Sequence, residues 1–346
     1  MQLSVADNVF FTALGAALAS VRGAAPADAL RTLVGSGLDR LPWPGHGATL
    51  ERWRALAAVG AHDLSLAKLF EGHTDALAIL HEAGATHLAT QEGARWATWC
   101  AEPPDARLLA HGNGGNGGAG KLVLHGRKAW CSGAHDVSHA VVSCWSPDGA
   151  ALLAAVDLRQ PGVSVTEDGW HAVGMAATMS VDVHFDAVPA TPLGGPDFYV
   201  QRAGFWHGGA GVAACWFGAA TRLADALRER LAGRDDPHRL ALLGEATVAL
   251  QGCAALLREA AGGIDRALDN DAMLAALSVR LGVEAGAGVV LDAVGRALGA
   301  GPLCKDAALA RLYADLPVFL RQSHAERDQQ AVGSLVAGQE GAPWTL

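Results

Sequence analysis

The stretch "GNGGNGGAGKL" at residues 112–122 carries two phosphate-binding patterns at once. Gly112, Gly114 and Gly117 spell G-x-G-x-x-G, and Gly115 to Lys121 spell G-x-x-x-x-G-K. Either pattern grips phosphate only where a strand enters the glycines and a helix leaves them, because the helix N-terminus supplies the free N–H groups. The next residues are Lys121-Leu122-Val123-Leu124-His125-Gly126, a short apolar run closed by glycine, which reads as a strand. Leu122 also stands where a P-loop needs the Ser or Thr that holds Mg²⁺. The stretch is therefore read as a loop between two strands, where Gly and Asn adopt positive φ cheaply. A nucleotide, if bound, must be held elsewhere.

Other residue types narrow the chemistry. Six cysteines, at 100, 131, 144, 215, 253 and 304, form no C-x-x-C pair, so neither a disulfide framework nor a metal site is expected, and the thiols are read as reduced in a cytoplasmic setting. Ten tryptophans are more telling: Trp96, Trp99, Trp130, Trp145, Trp170 and Trp206 gather mid-chain, as a large aromatic core or as a wall for a flat ligand. Aromatics chiefly bury area, so core is the first reading. A net charge of −9 argues against nucleic acid or an anionic membrane as partner. No run approaches the eighteen or so apolar residues of a membrane span. "VFFTALGAALASV" at 9–21 follows Asp7 with no basic segment before it, and is read as a first helix, not a signal peptide.

The elements that must position such residues fall into three segments of a 346-residue chain. Residues 1–93 read as helical, with Ala/Leu-rich stretches at 50–60 and 64–84. Residues 94–195 read as an antiparallel β-barrel or sandwich: "SVDVHF" alternates Val181, Val183 and Phe185 against Ser180, Asp182 and His184, and "GRKAW", "HAVVSCW", "ALLAAVDL" and "GVSVT" repeat the theme. Residues 196–346 return to helices near 199–231, 238–268, 272–298 and 305–332, able to close a four-helix bundle. Leu240, Leu243, Thr247, Leu250, Ala254, Leu257, Ala261, Ile264 and Leu268 make one apolar stripe at helical spacing. The fold class is α+β in the order helix, strand, helix.

This order, with six short motifs in register, resembles the acyl-CoA dehydrogenase family of flavoproteins over nearly the whole chain. "WCAEPP" at 99–104 is similar to that family's T-E-P segment. "LVLHGRKAWCSGAHDVSHAVVSC" at 122–144 is similar to its G-x-K-x-W strands, and "GMAATMSVDVHFDAVPA" at 174–190 to the strand that ends in V-P. "QRAGFWHGGAGVAACWFGAA", "RERLAGRDDPHR" and "RALGAGPLCKDAALARLYADL" resemble the motifs of its last domain. The resemblance implies FAD, with Trp130 packed on the flavin, Ser132 hydrogen-bonded to its ring, and Ala101 where a Thr usually donates to it. It implies that Arg228 reaches the pyrophosphate of a neighbouring subunit's FAD, hence a homodimer or homotetramer. Arg296, Gly299 and Gly301 fall on a Q-x-x-G-G motif beside the cofactor, with Arg where the family has Gln. Arg202 is placed near the acyl cavity of an acyl-CoA or carrier-bound acyl thioester.

The pattern breaks at the base. The family's usual Glu falls on Ser323, and the alternative position beside Arg202 holds Val200 and Gln201. Serine cannot abstract an α-proton unaided. His324, one residue on, is the first candidate, with Glu326 and Asp328 behind it; "HAERD" also reads as a capped helix end. His207 in "FWHGG" is the next. The resemblance thus implies an acyl-CoA dehydrogenase-like oxidoreductase served by an electron-transfer flavoprotein. The competing reading is a reduced-flavin-dependent monooxygenase of the same fold, served by a flavin reductase and oxygenating a small molecule; such enzymes lack the Glu and often carry a histidine near the C-terminal helix. A non-catalytic flavin-binding homologue is the third.

Overall fold

The computed structural model describes residues 5–113, 120–268, 271–341 and 344. Helices, then strands, then helices follow in the expected order. The chain groups into two compact units, one of residues 1–44 and 65–205, the other of 45–64 and 206–346.

The first unit opens with α1 (Val5–Ser20) and α2 (Pro26–Gly35), the latter started by proline in its first turn and Asp28 against the helix dipole. α4 (Leu64–Glu82) follows later in the chain. Seven strands come next: β1 (Trp96–Trp99), β2 (Leu108–Asn113), β3 (Lys121–Cys131), β4 (His139–Trp145), β5 (Ala151–Asp157), β6 (Val163–Val165) and β7 (Val181–Pro192), then the single turn α5 (Phe198–Gln201). The order β4-β2-β3-β7-β5 closes on itself because β4 also pairs with β5, so five strands make a barrel and β1 and β6 flank it. Alternation fills it: Leu122 and Leu124 of β3, Ala140 and Val142 of β4, and Val181, Val183 and Phe185 of β7 share one buried cluster. An antiparallel sheet was expected from sequence, but the sheet is mixed: β1 and β2 each run parallel to β4. Both partners are far enough apart in sequence for the crossover that a parallel pair needs. Asp182, expected on the polar face, is buried because Arg127 bonds its carboxylate.

β2 and β3 pair antiparallel from Leu108↔Gly126 to Asn113↔Lys121, so the glycine-rich stretch joins two strands and no helix leaves it. Residues 114–119 of that stretch lie outside the described residues.

The second unit contains α3 (Thr49–His62), α6 (Gly204–Leu231), α7 (Pro237–Arg266), α8 (Met273–Leu298), α9 (Ala300–Lys305), α10 (Ala307–Leu320) and α11 (Glu326–Ala337). The expected four helices are thus joined by α3, whose backbone lies against α6: a Cβ at Gly60 would strike the Cys215 carbonyl, and one at Gly218 the Ala57 carbonyl. Asp236 and Asp306 cap α7 and α10 by accepting the N–H groups of Arg239 and Leu309 at 3.1 Å each. The single helix expected over 305–332 is two helices. Ala325 at φ 38° breaks it, and Asp328 accepts the His324 N–H at the new start.

α7 and α8 are, by length and composition, apolar enough to cross a membrane, with mean hydropathy 1.7 and 1.6, contrary to the expectation that no stretch is. A continuous apolar run is a stricter test than a window average, which tolerates Glu245 within α7. Only 17% of the α7 window is buried, so the apolar stripe read from its sequence is covered only toward the C-terminal end, from Leu257 to Ile264.

Candidate functional site

The site grows from the end of β3, where the register against β7 slips between Lys128 and Cys131. The side chains on either side of the slip point inward. Lys128 is fully buried and donates from Nζ to Glu102 Oε1 at 2.6 Å, to the Ser143 hydroxyl at 2.6 Å and to the Ser143 carbonyl at 3.0 Å. Trp145 Nε1 donates to the other Glu102 oxygen at 2.8 Å. Burial pushes the Glu102 carboxyl upward, but the bonds from Lys128, Ser143 and Trp145 outweigh it and hold its pKa below the usual range. Cys131 is buried, its thiol pushed up by desolvation. It is an inert packing thiol.

Between these anchors Trp130 turns outward. Its φ is 57°, in the left-handed region that bulky residues avoid, and it is 50% exposed. An indole is a costly side chain to leave half in water, and costlier on strained backbone. Met175 and Met179, at φ 58° and 43°, flank the short turn Ala176–Thr178, which is tied to the same corner because Gly133 N–H donates to the Thr178 carbonyl at 2.7 Å. Three strained residues therefore meet at one end of the barrel.

Ser132 stands at their centre. Its carbonyl accepts from Trp99 Nε1 at 3.1 Å and its N–H donates to the Trp130 carbonyl at 3.0 Å. Its hydroxyl lies 2.8 Å from that of Ser180, which lies 2.8 Å from that of Thr178. Ser132, Trp99, Thr98 and Gly72 line a small cleft beside α4. β1, which carries Trp99, is pinned by buried His73: Nδ1 accepts the Trp96 N–H at 3.0 Å and Nε2 donates to Asp39 at 3.0 Å. Ala101, in the segment after β1, is half-buried and has no side-chain donor.

Of the residues singled out from sequence, Trp130 and Ser132 come together. Arg202 is in the same unit but is spent: its side chain is 2% exposed and bonds Glu82 at 2.9 Å and Asp75 at 3.0 Å. Burial works against its charge, yet Asp75 and Glu82 outweigh that and raise its pKa. Glu82 also accepts the Gly204 N–H at 2.7 Å, so this group of charges fixes the start of α6. Among the described residues Arg202 Nε has no partner, but it is buried, so the guanidinium presents no donor at the surface for a thioester.

In the second unit, Ser323 is buried and its Oγ accepts the Ala325 N–H at 3.3 Å, a turn-capping role. His324 is largely exposed, with Nδ1 4.0 Å from Asp328. His207 is buried on α6, where a Cβ at Gly45 would lie 2.7 Å from its Nδ1. Arg228 is exposed and paired with Asp225 at 2.9 Å. Arg296 pairs with Glu245 at 2.9 Å and Asp292 at 2.8 Å. Gly299, at φ 64° and ψ −170°, ends α8 in a conformation open only to glycine, whereas Gly301 has no such constraint and open space around it.

Sequence reasoning did not pair Lys128 with Glu102, read Ser180 only as the polar face of its strand, and met Thr178 only within a longer segment. Lys128 was visible as the lysine of the G-x-K-x-W segment, beside Arg127 in the same strand; the two hydroxyls carried no sign that they meet Ser132.

No family model matches the chain. Dibenzothiophene monooxygenase of Rhodococcus erythropolis is 34% identical over 171 residues, a match spanning 41% of this chain and 41% of that protein's own length. Among solved structures, KijD3 in complex with FMN and a dTDP-linked amino keto sugar superposes with TM-score 0.81 at 21% identity, covering 99% of this chain and 96% of that one. TdsC from Paenibacillus sp. A11-2, in complex with FMN and indole, gives TM-score 0.79 at 19% identity and covers 99% of each chain. The chain has the fold of these enzymes, the acyl-CoA dehydrogenase-like fold that the sequence resemblance implied.

Proposed function

We propose that the protein is a flavin-dependent monooxygenase that takes reduced FMN from a separate flavin reductase and oxygenates a small molecule. The observation that carries the reading is Trp130, a half-exposed indole held in the left-handed region beside a buried chain of hydroxyls. Such a residue persists only where its face is used, and a flat heteroaromatic ring is what an indole face takes. Trp130 and Ser132 would hold the flavin ring. Reduced flavin supplies the two electrons for activating oxygen.

Two observations favour oxygenation over acyl-CoA dehydrogenation. The position of the usual base is Ser323, whose hydroxyl is engaged in the turn, and Arg202 is locked between two carboxylates. The names of the relatives point the same way, since dibenzothiophene monooxygenase is an oxygenase. FMN takes the place of FAD in the proposal: the compared structures hold FMN, and both arginines expected on the far half of FAD are paired with carboxylates of their own chain. His324 at the α10–α11 turn is the proposed titratable group, with His207 next. A homodimer or homotetramer is proposed, on the apolar outer surface of α7, where Val248 is 70% exposed.

The test gives purified protein FMN or FAD, then NADH, a flavin reductase and oxygen with dibenzothiophene or indole, against an anaerobic panel of acyl-CoAs. Oxygenated product with FMN is expected. Bleaching of bound flavin by an acyl-CoA would return the dehydrogenase reading, and failure to bind either flavin would end both.

A further inference from the structure

The turn that carries His324 is gripped from α8, and the same grip reaches α6. Arg280 of α8 donates from Nη2 to the Gln322 carbonyl at 3.0 Å and from Nη1 to the Gly209 carbonyl at 2.9 Å. Gln322 stands just past the end of α10, beyond the helical hydrogen-bond ladder, so a guanidinium there satisfies its carbonyl and places positive charge at the negative end of the helix dipole. Gly209 lies on α6, two residues after His207. Glu284, one turn along α8 from Arg280, pairs with Arg321, so successive positions on one face of α8 hold successive residues of the turn. The guanidinium carbon also stands 5.2 Å from the ring of Trp216, which is fully buried on α6 and meets Phe319 of α10 edge-on at 6.2 Å. Arg280 thus joins the two elements that carry the candidate histidines, beside an aromatic pair that joins α6 to α10.

His324 is tied through its backbone N–H, which donates to Asp328 at 3.2 Å, whereas its side chain is 66% exposed, so the imidazole goes where the turn goes. A planar fork with two N–H groups in fixed directions suits a bridge between two carbonyls on different helices. We infer that Arg280 is a positioning residue for His324: it fixes the α10–α11 turn against α6 and so presents the imidazole in one place. The inference rests on the proposed role of His324 as the titratable group of the site, and adds the residue through which that group is placed.

The experiment combines hydrogen–deuterium exchange, read by mass spectrometry, with reductase-coupled turnover of dibenzothiophene or indole, for the parent, Arg280→Met, Arg280→Lys, His324→Ala and the double variant Arg280→Met/His324→Ala. Arg280→Met keeps the apolar stem and makes neither bond. Amides of residues 321–328 should exchange about tenfold faster in it, the loss of one hydrogen bond to a charged group, while those of the barrel strands keep the parent's rate. Its kcat should fall about tenfold with KM within about twofold of the parent's, because the imidazole is misplaced and the substrate contacts are not. In the His324→Ala background the same substitution should cost nothing further, since a residue that acts through His324 has nothing to place once the imidazole is gone. A merely structural role would lower both backgrounds alike. Arg280→Lys keeps a cation on a flexible stem and should show both effects in lesser degree; it takes the place of Arg280→Met in the single and double variants if Arg280→Met does not fold. A turn that exchanges at the parent's rate in the Arg280 variant, or losses that multiply in the double variant, overturn the inference and leave the role of His324 standing. His324→Ala with the parent's kcat overturns that role and the inference with it, and a parent that oxygenates neither probe overturns the functional reading beneath both.

Discussion

Trp130 offers a comparison that separates backbone strain from ring contacts. Trp130→Ala and Trp130→Gly both delete the indole, so the difference between them reports only what φ 57° costs a side chain. An L-residue in the left-handed region pays about 1–2 kcal/mol. Glycine escapes that but loses about 0.5–1 kcal/mol more chain entropy than alanine on folding. Glycine should therefore be the more stable variant by about 0.5–1 kcal/mol, the reverse of the order inside ordinary strands. The ring is 50% exposed. Losing half of the roughly 200 Å² that a tryptophan buries costs about 2.5 kcal/mol, so alanine should fall about 2.5 kcal/mol below the parent and glycine about 2. Urea unfolding at 25 °C, followed by far-ultraviolet circular dichroism, resolves such differences. FMN should bind both variants about 3- to 10-fold more weakly than the parent, the value of one ring stack. Alanine as stable as glycine would refute the strained backbone, and parent-like FMN affinity in both would refute the stacking face.

Lys128→Met should cost about 2–4 kcal/mol, below the usual range for a broken buried pair because Glu102 is 30% exposed, and a loss under about 1 kcal/mol in urea would show that the pair is not needed. The Glu102 carboxyl is held below its ordinary pKa, so its contribution is complete above about pH 4.3 and is lost as pH falls through the lower folded value; the acid limb of stability against pH should be flatter in Lys128→Met. Arg202→Met leaves Asp75 and Glu82 facing each other and should cost about 3–5 kcal/mol in urea unfolding, with little change confined to substrate KM. His324→Ala should change stability by less than about 0.5 kcal/mol, since the side chain is 66% exposed, while reductase-coupled product formation falls by about 10². Sedimentation should give a mass of at least twice 35.5 kDa, and Val248→Glu on α7 should lower it to the single-chain value.

How far the sequence spoke depended on whether a residue's partner was near it in the chain. β4 and β5 were legible as alternating apolar runs, and they pair residue for residue from His139↔Asp157 to Trp145↔Ala151. Trp130 and Ser132 were legible only through the resemblance, since an isolated tryptophan in a strand reads as core; nothing local announces a left-handed φ. Arg202 looked like a cation available to a ligand because Asp75 and Glu82 lie 127 and 120 residues upstream. The break in the last helix was hidden because "RQSHAE" contains neither glycine nor proline, while Pro317, the obvious breaker, sits inside α10. The role of α3 beside α6 was hidden for another reason: Gly60 and Gly218 look like weak points in helices until a backbone is seen against each.

Left-handed conformations at Trp130, Met175 and Met179 cost about 1–3 kcal/mol each, against a total stability of about 5–15 kcal/mol for a folded domain. Asparagine or glycine at each position would relieve much of that. The surroundings instead hold the strain in place: the buried Lys128 fixes β3 on one side of Trp130, the buried Cys131 fixes it on the other, and the bond from Gly133 to Thr178 ties the two strained segments together. The same tie sets the Ser132 hydroxyl against that of Ser180, which in turn meets Thr178. Under the proposed function, the outward face of Trp130 is the surface on which a planar heterocycle would stack. The strain is the cost of turning the indole outward, which is why glycine at Trp130 should relieve the backbone and lose the ring contact on which the proposed flavin binding rests.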